Sequence, residues 1–373
     1  MTFAALSVVK HRIQLGVPLP FNVRNADRTL LLARGHKIDS ADQLEALLER
    51  GALVDISEIL SPAEKLAQLP REELPRRWEA CLTRVSQVLH HAPHPGFGAA
   101  LEDVAGPVVA LVDRDPDLAI FNILRNQPNE MTGYGVQRSL NTAITAYLVA
   151  QRLGWDAGSM EKVFKIALTS NLSMLELQSQ LARQRAPLSP GQYQVLREHP
   201  QESARMLELS GIHDEDWLQA VLKHHEVEDG SGYPTGCTDV GDYASLVRRA
   251  DVYTAKLASR SHREALAADV AGRQMFMQDP GHPMTAALVK EFGIYPPGCC
   301  VRLASGETGI VVERCPLVTQ PVVALLTRAN GSLLPTPVRR ETTDPKHAVV
   351  GIVGEKTPAV RMPTEKLLAL VKP

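Results

Sequence analysis

Two adjacent histidines, His224 and His225, close an apolar helical run that extends from Trp217 to Leu222. Glu226, Glu228 and Asp229 follow at once, and then the turn Gly230-Ser231-Gly232-Tyr233-Pro234. Imidazoles beside carboxylates are what a metal or acid–base site requires. A glycine-rich turn ending in an aromatic and a proline can hold that aromatic against a ligand. On these residues alone a second reading stays open, a satisfied buried His pair followed by a surface turn.

Such a site needs helices to bring its parts together, and the apolar periodicity of residues 131–293 supplies them. Helical faces are expected over Ser139–Leu153, Val163–Leu177, the segment after His199-Pro200, Trp217–His225 and Tyr243–Leu257. Proline is tolerated at the first helical position, so His199-Pro200 reads as a helix start. Asp251 falls on the apolar stripe of the last helix, where a carboxylate is costly unless paired or bound to a cation. His199, His224, His225 and Asp251 can therefore converge on one cavity of a helical bundle. The cluster His90, His91 and His94 is flanked by Pro93 and Pro95 and reads as a solvated helix end.

The remaining segments show no comparable chemistry. Residues 1–60 predict a small α+β module. A hairpin turns at Asn25–Arg28, and a helix begins at Ser40 and stops at Gly51. Residues 61–130 predict a helical connector. From 294 to 373 the period changes from 3.6 to 2, which predicts a β-rich extension with Asn330-Gly331 as a hairpin turn. The expected fold class is mainly α, with a small α+β N-terminal module and a β-rich C-terminal extension. The 373 residues are 44% hydrophobic and 22% charged, with 40 Lys+Arg against 42 Asp+Glu. That near-neutral balance points to a globular protein that binds neither nucleic acid nor a membrane surface. The N-terminal stretch meets a charge too early for a secretory signal, and no apolar run reaches transmembrane length. Five cysteines without C-x-x-C spacing read as reduced thiols of a cytoplasmic protein.

The stretch from His224 to Pro234 matches HHExxDGxGYP, and so resembles the HD-GYP family of bacterial cyclic-di-GMP phosphodiesterases within the HD phosphohydrolases. Arg249-Ala250-Asp251-Val252-Tyr253, the run from Arg260 to Leu266, Leu188-Ser189-Pro190 and Glu198-His199-Pro200 are similar to further family segments. The resemblance covers about residues 130–293 and implies an HD-type helical bundle. It also implies metal ions, usually iron or manganese, with a bridging water that attacks a phosphodiester. His199, His224 and His225 match ligands of one metal and Asp251 a ligand of another. Arg260 and Arg263 match positions that face phosphates. Gly232, Tyr233 and Pro234 match the loop beside the pocket, and His262 stands where the family has a tyrosine at its rim.

The other half of the family pattern departs from expectation. Arg138 stands where a metal-binding histidine is expected. The His-Asp pair is replaced by Ser170-Asn171, and the family lysine by Met174. A guanidinium is always protonated and cannot bind a cation, but it can pair with Asp251. Three readings follow. The first is a degenerate member that binds cyclic-di-GMP or a diguanylate cyclase (GGDEF) domain with little or no hydrolysis. The second is a residual phosphodiesterase for cyclic-di-GMP or pGpG, with one Fe, Mn or Zn ion on the three histidines. The third is a structural interaction module. Expected partners are the nucleotide, a GGDEF domain and a second copy of the chain in a homodimer.

Overall fold

A computed structural model describes residues 3–60, 65–66, 68–125, 133–261, 263–354 and 363–371. The chain divides into two units, Met1–Leu69 and Pro70–Pro373. In the first, β1 (Phe3–Ala5), β2 (Val23–Arg24), β3 (Leu30–Leu32) and β4 (Leu53–Asp55) form an antiparallel sheet in the order β1-β4-β2-β3. The expected hairpin is β2–β3, and the amide of Thr29 closes its turn on the side chains of Asn25 and Asp27. Helices α1 (Ala41–Glu49) and α2 (Ile56–Ile59) complete this unit. Ser40 caps α1 through the amide of Gln43, as expected, while the Gln43 side chain accepts from Asp39. Leu6, Phe21, Val23, Ile38, Leu44 and Val54 are buried together as its core.

The second unit begins with α3 (Leu74–His90), α4 (Phe97–Arg114) and α5 (Pro116–Arg125). Next come α6 (Gly133–Leu153), α7 (Ala157–Thr169), α8 (Leu175–Arg183), α9 (Pro190–Leu209) and α10 (Glu215–Lys223). Then follow α11 (Asp242–Leu257), α12 (Ala268–Gln278) and α13 (Pro283–Phe292). Helix α6 is the axis of this group and touches α7, α8, α11 and α13. It is buried almost all round from Gly135 to Ala150, a pattern that belongs to a central helix. Ala143, Ala146 and Ala150 let its neighbours approach closely. Gly135 does the same at the N-terminal end, where a Cβ would lie 2.2 Å from the backbone oxygen of Leu175.

Three helix boundaries differ from the sequence expectation, each for a local reason. Helix α6 starts at Gly133, so Arg138 lies inside it and not just before it. The run expected over Val163–Leu177 breaks after Thr169. There the hydroxyls of Thr169 and Ser170 take the carbonyls of Lys165 and Ala167, and a short 3-10 turn leads into α8. His199-Pro200 does not start a helix. Both residues lie within α9, which begins at Pro190 with a capping box between Ser189 and Gln192.

The C-terminal strands are β5 (Cys300–Leu303), β6 (Thr308–Glu313), β7 (Val322–Thr327), β8 (Leu333–Glu341) and β9 (Val349–Ile352). They form an antiparallel sheet in the order β8-β7-β6-β5-β9, followed by α14 (Thr364–Leu368). Strands β6 and β7 are covered on both faces. Ile310, Val312, Ala324 and Leu326 pack with Phe121 and Leu367, while Val311, Val323 and Leu325 pack with Cys299 and Val301. Among the described residues no helix is long and apolar enough to cross a membrane.

Replacing Gly135 by alanine forces either α6 or the start of α8 to shift, because the colliding atom belongs to the backbone. Gly135→Ala is expected to lower unfolding stability by about 2 kcal/mol, as overpacking does. Urea denaturation followed by circular dichroism measures it, and an unchanged midpoint would contradict the close approach.

Candidate metal and phosphate site

Proline has no amide hydrogen, so Pro200 leaves the carbonyl of Leu196 without its usual helical partner. The Nδ1 of His199 takes that place at 2.6 Å. Helix α10 ends two residues after Val221, so the Val221 carbonyl is also one of the unpaired helix-end acceptors, and Nδ1 of His224 meets it at 2.6 Å. A carbonyl only accepts, so both Nδ1 atoms carry the proton and both Nε2 atoms present lone pairs. Those two Nε2 atoms face each other at 3.1 Å. Two lone pairs at that distance repel unless a cation stands between them.

Burial makes a proton a poor choice for that cation. It pushes the His199 pKa down to about 3, with the neighbouring His224 as a second cause. Burial likewise lowers His224, and burial with the other two imidazoles takes His225 well below the usual range. The three rings offer nitrogen atoms that all lie within 4.8 Å of one another. Neutral imidazoles whose other nitrogen is anchored to a backbone carbonyl are the donor set of a divalent ion. The donor chemistry therefore fits a single divalent ion.

On the other side of the cavity, Arg138 from α6 meets Asp251 from α11. Its Nη2 lies 2.8 Å from Oδ2 and 3.2 Å from the Asp251 backbone oxygen. Thr142 approaches Oδ1 at 3.4 Å. Arg138 is only 8% exposed and Asp251 5%. Burial opposes the charge of Arg138, but Asp251 and Tyr134 together outweigh it and raise the guanidinium pKa. The pairing that the sequence suggests is present. Nη1 of Arg138 is buried with no hydrogen-bond partner among the described residues. Ser170 and Asn171 are buried beside this pair. The Asn171 amide donates to Ser170 at 3.3 Å, so neither side chain brings a charge.

A cavity of about 120 Å³ joins the two halves. Arg138, Asp251, His199 and His225 line it, together with Asn171, Met174, Tyr134, Tyr233 and Arg260. Tyr233 is stacked on His225 with ring centroids 4.6 Å apart and planes at 14°. The guanidinium of Arg197 sits 5.5 Å from the Tyr233 ring, a contact that no spacing in the sequence announces. Arg260 donates from Nε to the Tyr134 hydroxyl at 3.2 Å.

The carboxylates after the histidines hold the loop instead of facing the cavity. Glu226 is fully buried and accepts from the amide and hydroxyl of Thr235, each at 2.7 Å, and from the amide of Gly236 at 3.0 Å. Gly232 passes so close beneath that a Cβ would lie 2.4 Å from Cα of Glu226. Glu228 turns to Ser245 and to Arg249, a 1% exposed guanidinium that also grips Asp279 at 2.7 Å. Asp229 is exposed and accepts from the amide of Ser231 at 2.8 Å.

A family model described as HD domain matches residues 119–271. A cyclic di-GMP phosphodiesterase of Pseudomonas aeruginosa, PA4108, is 26% identical over 286 residues, 72% of this chain and 66% of that protein. The cyclic di-GMP phosphodiesterase response regulator RpfG of Xanthomonas campestris is 29% identical over 141 residues, 36% of each chain. The chain thus spans just under two thirds of the first relative and about a third of the second. Among solved structures, Bd1817, a HDG"Y"P protein from Bdellovibrio bacteriovorus, shares the fold. Its TM-score is 0.50 at 15% identity, over 78% of this chain and 98% of that one. Residues 119–271 thus match the HD domain, and the chain is similar to cyclic di-GMP phosphodiesterases and to an HDG"Y"P protein.

The positions singled out by the HD-GYP resemblance separate in the structure. His199, His225, Asp251, Tyr233 and Arg260 line one cavity with Arg138, Asn171 and Met174, and His224 stands directly behind His199. Arg263 does not join them: it is exposed and donates to the backbone oxygen of Ala255. Gly232 and Pro234 shape the loop without lining the cavity. His262 lies outside the described residues. The cluster His90, His91 and His94 is turned outward, with His90 and His91 bonded to the backbone of their own helix.

Arg138→Met leaves Asp251 buried without its counter-ion and is expected to cost about 3 kcal/mol, whereas Arg138→Met with Asp251→Leu recovers most of that loss. A double-mutant cycle by urea denaturation measures the coupling, and equal losses in both variants would refute it. Glu228 gives a pH signature. Burial works against its charge, but hydrogen bonds from Arg249 and Ser245 prevail and bring its pKa from 4.5 down to about 2. The stability that wild type holds over Glu228→Gln is therefore full above pH 4.5 and fades as the pH falls toward 2. A gap independent of pH would contradict that assignment.

Proposed function

We propose that this chain is a cyclic-di-GMP-binding HD-GYP protein in which half of the metal centre has been exchanged for a fixed guanidinium, with little or no phosphodiesterase activity. The observation that carries this reading is the Arg138–Asp251 ion pair, closed at 2.8 Å inside the cavity. A two-metal hydrolysis needs two cations to clamp the attacking and leaving oxygens. Arg138 satisfies Asp251 without a cation and is itself unable to bind one. Asn171, where the family pattern has an aspartate, contributes no charge to hold two ions together.

His199, His224 and His225 would hold one divalent ion, iron, manganese or zinc, which when bound supplies Lewis-acid polarisation of a phosphate oxygen. The protein's own part is recognition. Arg138 and Arg260, which both line the cavity, bring guanidinium groups toward a phosphate. At about 120 Å³ the cavity is smaller than the roughly 300–1,000 Å³ of sites that engulf a whole ligand. It therefore takes one phosphate, while the rest of the nucleotide lies outside, across Tyr233 and Arg197. The facing Nε2 atoms favour a second reading, residual hydrolysis by that single ion.

Metal content, cyclic-di-GMP affinity and turnover measured on one preparation decide between them. The expected result is one divalent ion per chain, saturable binding by calorimetry, and turnover about a hundredfold or more below that of the variant Arg138→His, Ser170→His, Asn171→Asp. That variant should take up a second ion. Measurable wild-type turnover equal to the variant's establishes the single-ion hydrolase, and absence of nucleotide binding removes the proposal.

A further inference from the structure

Tyr134 lines the histidine cavity together with Arg138 and Arg260. Arg138 stands four residues later on the same helix, so both side chains leave one face of α6. Arg260 comes from the connection between α11 and α12 and meets Tyr134 in two ways. Its Nε donates to the Tyr134 hydroxyl at 3.2 Å, and its guanidinium carbon lies 5.9 Å from the centre of the same ring. Nε is the inner nitrogen of the group. The tyrosine therefore holds the guanidinium by its stem and sets the direction of the two outer nitrogens.

The backbones on both sides of this contact are tied to one helix, α8. At the start of α6 the amide of Gly135 donates to Oγ of Ser179 at 3.1 Å. In the connection after α11, the amide of Ser261 donates to the carbonyl of Ala182 at 2.9 Å. Arg260 and Arg263 also exchange backbone hydrogen bonds, at 2.8 and 3.0 Å, which closes the connection into a tight turn. With the backbones held, the long Arg260 side chain is what remains to be ordered. Ordering such a side chain when a ligand arrives lowers affinity, and a contact that orders it beforehand removes that loss.

We propose that Tyr134 is a positioning residue for phosphate binding: its hydroxyl holds the Arg260 guanidinium at the cavity, so that Arg138 and Arg260 act together on one phosphate group. This rests on the reading of the cavity as a nucleotide phosphate site. Tyr134→Phe keeps the ring and removes only the acceptor. Calorimetric titrations with cyclic-di-GMP use the full chain as wild type, Tyr134→Phe, Arg260→Met and the double variant. Tyr134→Phe is expected to weaken binding about fivefold and Arg260→Met about tenfold or more. The double variant should bind no more weakly than Arg260→Met alone, because the hydroxyl acts only through the guanidinium. In a proton–nitrogen correlation spectrum the Nε–H signal of Arg260, assigned by its loss in Arg260→Met, should be sharp in wild type and broadened in Tyr134→Phe. Undiminished binding by Tyr134→Phe, additive losses in the double variant, or a wild-type signal already broadened would overturn the role of Tyr134 and leave the phosphate site standing. A wild type that binds no nucleotide removes the site and the role together.

Discussion

A carboxylate buried at the centre of a helical bundle must meet a cation, because the cost of desolvating its charge exceeds what neutral hydrogen bonds return. Asp251 is in that position, and the rest of the cavity follows from how its charge is met. Arg138 reaches it from α6, the helix around which the second unit packs, so the ion pair ties the axis of the bundle to α11. Residues around the pair can then be uncharged. Ser170 and Asn171 bond to each other and to the local backbone, and Met174 closes the cavity as an apolar wall. Each of these side chains is uncharged and leaves the charge of Asp251 to the guanidinium.

The histidine half rests on a different constraint, the supply of backbone carbonyls that lack a partner. Pro200 creates one in the middle of α9, and the end of α10 creates another. Each carbonyl fixes the tautomer of one imidazole and aims its lone pair at the other ring. The same proline that looks from the sequence like a helix start is thus better understood as a device for orienting His199. Its place inside the helix costs a backbone hydrogen bond, which the imidazole replaces.

Much of this was legible in the residues, and the exceptions have physical causes. The convergence of His199, His224, His225 and Asp251 follows from helical spacing and from the cost of an apolar-face carboxylate. The hairpins of both sheets follow from their turn residues. The break at Ser170-Asn171 is hidden because Leu168, Leu172 and Leu175 keep helical spacing across it, while hydroxyls that cap their own helix carry no periodic signal. From the sequence, Glu226 beside the histidines reads as a possible partner in their chemistry. Its true partners, Thr235 and Gly236, become neighbours only when the loop closes on itself. Arg197 over Tyr233 is likewise a contact between distant segments, and no local pattern encodes it.

The glycine loop rests on His225 and is built without reference to the Arg138–Asp251 half of the cavity. Glu226 binds the loop's own backbone, Gly232 lets it pass beneath, and Glu228 is held by Arg249 and Ser245. Arg249 in turn is anchored to Asp279 and Thr285. None of these groups touches Arg138, Ser170 or Asn171. Exchanging the charged residues on the far side of the cavity therefore leaves Tyr233 stacked on His225 and the loop geometry undisturbed. That independence accounts for a chain in which HHExxDGxGYP is complete while Arg138 and Ser170-Asn171 stand at the positions opposite it. The loop keeps its shape through its own hydrogen bonds, from Thr235 and Gly236 to Glu226 and from Arg249 and Ser245 to Glu228.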